Sequence, residues 1–158
     1  MMLENFQTSS IFAVSVVAIA AIILIYFAVK TLITSNLFQK GVTLYREKDY
    51  PGAEAKFRQV IAINSTNDVV RLLLGDVLMQ LGNLDEAAEM FNYVISRSPK
   101  NADAYLNLSN VRMQQNQPEA AKTNLLQAKD LLQKQRQPEK AEKIGKLLDK
   151  MTAKSSKL

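Results

Sequence analysis

The chain contains no histidine, cysteine or tryptophan. Serine–histidine and cysteine–histidine nucleophile pairs, Cys/His zinc sites, iron–sulfur ligation and disulfide frameworks are therefore excluded within it. Carboxylates such as Asp76 and Asp103 remain for acid–base work. Neither comes with a nucleophile–base pair, a metal set or a glycine-rich phosphate loop, and acids on helix faces are ordinarily solvated. No enzyme, cofactor or small-molecule substrate is expected. The chemistry left to these side chains is recognition, by cations and by apolar surface.

The cations are unevenly placed. Residues 1–133 carry 12 Lys/Arg and 12 Asp/Glu, whereas residues 134–158 carry 8 Lys/Arg and 3 acids. The net charge of +5 thus belongs to the last stretch, through Lys140, Lys143, Lys146, Lys150, Lys154 and Lys157 together with Lys134 and Arg136. Such a tail suits anionic lipid or an acidic protein face; the plainer alternative is a solvated helix face. Nucleic acid is not expected, because no aromatics interleave the basic stretch and the rest of the chain is neutral.

The elements that position these groups begin with a span. Ile11 to Val29 is interrupted only by Ser15 and the Tyr26 hydroxyl and carries no charge, Gly or Pro. As a helix it approaches the ~30 Å hydrocarbon thickness of a bilayer and satisfies its own backbone. Lys30 follows at once, and Tyr26 and Phe27 stand where interface aromatics stand. A cleaved signal peptide would need a basic leader and a small-residue cleavage site; an interfacial helix would need a charged face. Neither is present, so residues 11–33 are predicted to cross a membrane, after a short segment over residues 1–10. Upstream of the span there is no Lys or Arg, while Lys30, Lys40, Arg46 and Lys48 follow it. The positive-inside rule places the N-terminus in a periplasm or lumen and the remainder on the cytoplasmic or stromal side.

Beyond the span the chain repeats itself. Gly41, Gly75 and Ser109 fall in register 34 residues apart, as do Ala53, Ala87 and Ala121, then Phe57, Phe91 and Leu125, then Val60, Val94 and Ala128. Pro51, Pro118 and Pro138 suit first helical turns and Pro99 suits a position just past a helix end. The pattern resembles the tetratricopeptide repeat, an antiparallel helix pair in which a small residue on helix A accommodates a large apolar residue on helix B. The resemblance implies an all-α solenoid with repeats at 34–67, 68–101 and 102–135. A basic capping helix and tail would follow over 136–158, burying Ala141, Ile144, Leu147, Leu148 and Met151. The third repeat departs most, with Ser109, Arg112, Leu125 and Gln133 where the family has Gly, an apolar residue, Phe and Pro. Its second helix is therefore expected to run on. Between span and first repeat the helix either continues or breaks at Thr34-Ser35-Asn36, where a polar cap is available.

In this family the A helices line a concave face. The resemblance puts Phe38, Val42 and Tyr45, then Leu72, Asp76 and Met79, then Leu106, Asn110 and Met113 on that face. A contiguous apolar line marks a binding site for a protein segment, or else a surface covered by the protein's own elements. Chaperone-binding members clamp a peptide carboxylate with Lys, Arg and Asn. Here those positions hold Phe38, Val42, Leu73, Asp103 and Asn107, so no such clamp is expected. The layout of short N-terminal span, three repeats and basic tail is similar to the membrane-anchored photosystem I assembly proteins of cyanobacteria and plastids. That resemblance implies a thylakoid assembly factor whose partners are subunits of a membrane complex. A permanent scaffold subunit of such a complex is the alternative.

Overall fold

The computed structural model describes the backbone of residues 2–155 and side chains from Ala13 to Ala153. Among the described residues there are seven helices and no strand: α1 (Met2–Arg46), α2 (Tyr50–Ile63), α3 (Asp68–Gln80), α4 (Leu84–Arg97), α5 (Ala102–Gln114), α6 (Pro118–Lys134) and α7 (Pro138–Ser155). Each packs chiefly on its sequence neighbours, with α3 also touching α5. This nearest-neighbour stacking makes an α-solenoid of helical hairpins: the end of α1 with α2, α3 with α4, and α5 with α6.

α1 does not break at Thr34. The hydroxyls of Thr31 and Thr34 donate to the Phe27 and Lys30 carbonyls at 2.8 Å, four residues back within the same helix. They satisfy themselves there instead of capping a new helix. One rod, about 65 Å long, therefore carries both the apolar run and the first repeat helix. It is long and apolar enough to cross a membrane, and none of its most apolar stretch is buried by the rest of the chain.

Short side chains control how closely the paired helices approach. A Cβ on Gly41 would lie 2.7 Å from the Phe57 ring, and on Gly75 2.4 Å from the Phe91 ring. Both rings are fully buried. In the third pair Leu125 replaces the ring, and buried Ser109 fits, its hydroxyl donating to the Leu106 carbonyl at 2.6 Å.

The turns repeat as strictly as the core. α1, α3 and α5 end on a left-handed residue, Lys48, Gly82 and Asn116, with φ of 62°, 80° and 58°. The amides of Asp49, Asn83 and Gln117 then reach back to the carbonyls of Leu44, Leu78 and Arg112, which closes each helix in a Schellman motif. α3 and α5 begin on Asn67 and Asn101, whose side chains accept from the amides of Val70 and Ala104 at 3.1 Å. After α6 the pattern changes. Arg136 is left-handed (φ 58°) and Gln137 bonds back to Leu132. α6 thus runs on to Lys134 and turns into α7 by the tight turn used inside a repeat, not by the four-residue link used between repeats.

α7 closes the stack. Ala141, Ile144 and Leu148 are buried with Leu125, Ala128 and Leu132 of α6, and Met151 packs beside them. Leu147 is 45% exposed, so it lies off the buried stripe on which it was expected. One helical position of rotation accounts for this, because Leu148 already fills the place facing α6.

Candidate protein-binding face

The expected face consists of the last turns of α1 together with α3 and α5. Phe38, Val42, Tyr45, Leu72 and Met79 are half-buried against the core of the first two hairpins. Leu106 packs partly on the second core cluster. Asn110 and Met113 are exposed. The apolar side chains are thus partly covered from behind, with their remaining surface open.

A polar line runs through them. Asn107 Nδ2–H donates to Asp76 Oδ1 at 2.9 Å, joining α5 to α3. Burial pushes the Asp76 carboxyl up to about 6, and the Asp103 carboxylate adds to the shift. Burial also raises the Tyr45 hydroxyl, with smaller contributions from Asp76 and Tyr50. Three helices therefore meet electrostatically at Asp76, a part-buried carboxyl that takes up a proton more readily than an exposed one. The chemistry on offer is apolar contact and hydrogen bonding around one easily protonated acid.

Asn107, a clamp position by sequence, belongs to this face in the structure. Its signal lies in the spacing. Asp76 and Asn107 are separated by one repeat less about one helical turn, which sets them side by side on parallel neighbouring helices.

Lys140, Lys143, Lys146 and Lys150 project from α7 away from its buried stripe. Lys146 pairs with Glu142 at 2.7 Å. The side chain of Lys154, and Lys157 entirely, lie outside the described residues. Lys134 pairs with Asp130 at 2.6 Å on α6. These exposed pairs leave the surface locally mixed in charge and contribute little to stability.

A family model for the tetratricopeptide repeat matches residues 44–94 and 82–139. A comparison with curated proteins found no match. Among solved structures, the chain is similar to SycD, a type III secretion translocator chaperone of Yersinia enterocolitica. The TM-score is 0.68 at 18% identity, over 73% of this chain and 87% of that one. It is similar to PcrH in complex with the chaperone binding region of PopD, with a TM-score of 0.71 at 19% identity over 77% and 92% of the two chains. PcrH comes from Pseudomonas aeruginosa. It is also similar to the TPR2B domain of yeast Sti1 in a complex with pHsp70, with a TM-score of 0.71 at 17% identity over 78% and 98%. At these identities the likeness is one of fold.

Proposed function

The chain belongs to the tetratricopeptide-repeat family, and from that premise we propose that it is a membrane-anchored adaptor that holds an apolar segment of a client protein on the face of α1, α3 and α5. The carrying observation is the half-buried line of Phe38, Val42, Tyr45, Leu72, Met79 and Leu106 around Asp76. Open apolar surface of this kind is costly to leave in water, and methionines adapt to more than one segment. The solved relatives named above in complexes with PopD or pHsp70 support protein binding as the use of such a fold.

The continuity of α1 supports the second half of the reading. The apolar run passes without a joint into the first repeat helix. With α1 across a bilayer, the face is held just above the surface, within reach of a membrane-protein client. The Lys/Arg bias favours repeats on the cytoplasmic or stromal side. The lysines of α7 then face anionic lipid or an acidic subunit. The resemblance in layout makes photosystem I the first complex to test, and a thylakoid the first membrane.

The test has two arms. Leu72→Asp and Leu106→Asp should abolish co-purification of client subunits while helix content and membrane anchoring stay unchanged. Deletion should lower one membrane complex without loss of its transcripts, with the protein found below one copy per partly assembled complex. Recovery at fixed one-to-one ratio with a mature complex would support the permanent scaffold. Normal levels of every membrane complex would remove the assembly role.

A further inference from the structure

Where α1 leaves its apolar run, the turn between α2 and α3 faces it, and two recesses open beside Lys30. One, about 480 Å³, is lined by Lys30, Ser35, Asn64 and Asn67 between the rings of Phe27 and Phe38. The other, about 380 Å³, sets Tyr26, Val29 and Ile33 of α1 opposite Ala62 and Ile63 of α2. Among the described residues, Lys30 is the sole charged one lining either. The first recess adds the polar side chains of Ser35, Asn64 and Asn67 to the shared Lys30, whereas the second is mainly apolar beside it.

The turn that completes the first is held from behind. The Arg71 guanidinium stacks 3.8 Å over the Tyr93 ring and donates to the Ser65 carbonyl at 2.8 Å. Asn64 Oδ1 accepts from the Thr66 amide and hydroxyl, and Asn67 Oδ1 accepts from the Val70 amide. Each carboxamide spends its oxygen inside the turn, so its nitrogen is what it offers a ligand. A cation and two amide donors make a site for an anionic oxygen.

We propose that this joint binds one anionic phospholipid, its phosphate diester against Lys30, Asn64 and Asn67 and an acyl chain along Val29, Ile33, Ala62 and Ile63. The proposal rests on the reading that α1 spans a bilayer. It follows from depth and charge: Phe27 and Lys30 end the apolar run, so both recesses sit at headgroup level, where phosphate lies above hydrocarbon. The bound lipid would fasten the first link between repeats to the membrane and set the angle at which the client face stands over it.

The full chain, purified in non-ionic detergent, is mixed with equal amounts of phosphatidylglycerol and phosphatidylcholine of matched acyl chains and examined by native mass spectrometry. One phosphatidylglycerol per chain should be retained in preference. Lys30→Gln should lower that retention about tenfold, the loss expected for one charged hydrogen-bonding partner. Asn64→Asp, which leaves α1 untouched, should lower it too, and Lys48→Gln at the opposite end of the repeat should not. Equal retention of both lipids, or unchanged retention in Lys30→Gln and Asn64→Asp, overturns the site. Displacement by excess inorganic phosphate overturns it as well, because it reduces the lipid to a simple anion. The span is read separately, since the chain has no cysteine. A fluorophore on Val17→Cys in nanodiscs should be quenched by hydrocarbon-depth quenchers. A quenched Val17 probe without lipid retention overturns only the lipid site, whereas an unquenched one removes the span beneath it.

Discussion

Gly75 and Phe91 show how far one side chain decides this fold. Alanine is the better helix former by about 1 kcal/mol. Yet a Cβ at Gly75 would sit 2.4 Å from a ring with no room to retreat. Gly75→Ala should therefore destabilise the protein by about 1–3 kcal/mol. The third hairpin has already made the compensating change, Leu125 beneath Ser109. Phe91→Leu should accordingly recover part of the loss, and a double-mutant cycle in denaturant should show the two substitutions to be less costly together than their sum. Asp76 carries the second prediction at this scale. Its carboxyl is raised to about 6 in the folded protein from 3.8, so between those values the folded state holds the proton that the unfolded state has lost. Its contribution is greatest below pH 4 and is lost as the pH rises through 6. Asp76→Asn should then be more stable than the parent at pH 7, on the order of 1–3 kcal/mol, with the difference vanishing near pH 4. Thermal unfolding across this range is the measurement, and a difference that does not depend on pH would sink the account.

Among the elements, α7 forms despite Gly145 at its centre. A Cβ there would meet only the Lys129 ammonium at 3.5 Å and its Cε at 3.7 Å. Both belong to the end of a flexible side chain. The glycine therefore serves no close approach, unlike Gly41 and Gly75, and Gly145→Ala should stabilise by about 0.5–1 kcal/mol. Chemical denaturation would show the midpoint rising; a fall would mean that α6 and α7 are closer in solution than the geometry allows. The same contrast separates the turns. The links after α2 and α4 have four residues and start a new repeat on an asparagine cap, whereas the three-residue turn after α6 folds α7 back as the second arm of a hairpin. α6, with 17 residues against 14 in α2 and α4, supplies the extra length that α7 covers.

At the scale of the whole molecule, the consequence of a continuous α1 is directional. The turn of residues 64–67 lies level with Phe27 to Ser35, so with α1 as a span that edge of the solenoid meets the headgroups and the turns at Lys48, Gly82 and Asn116 point away. A single cysteine at Asn116→Cys should resist an impermeant thiol reagent in intact cells and react once the membrane is opened. Labelling in intact cells would place the repeats on the outer side and reverse the orientation read from Lys30, Lys40, Arg46 and Lys48.

Much of this molecule was legible by itself in the sequence, for reasons that are local. A strict 34-residue period in Gly41, Gly75 and Ser109, and in Phe57, Phe91 and Leu125, encodes the hairpins, because each repeat meets only its neighbours and the same contacts recur. The apolar run up to Val29 encodes a helix that no core covers. The missing Pro at Gln133 already pointed to a longer α6. Other features depended on which residues the solenoid brings together. Whether Thr34 would cap a helix or bond back along one was undecided, since both conformations satisfy its hydroxyl; the packing of α2 and the turn beside α1 accompanies the second. The spacing of Asp76 and Asn107 allowed their pairing, and the parallel packing of α3 and α5 made it. Leu147 and Leu148 both fit a helical stripe, and contact with Leu125, Ala128 and Leu132 chose between them. The recesses around Lys30 combine residues of α1 with the end of α2 and the turn after it, about thirty positions later in the chain. A period along the chain records what repeats, and this joint occurs once, so tertiary structure alone could assemble it.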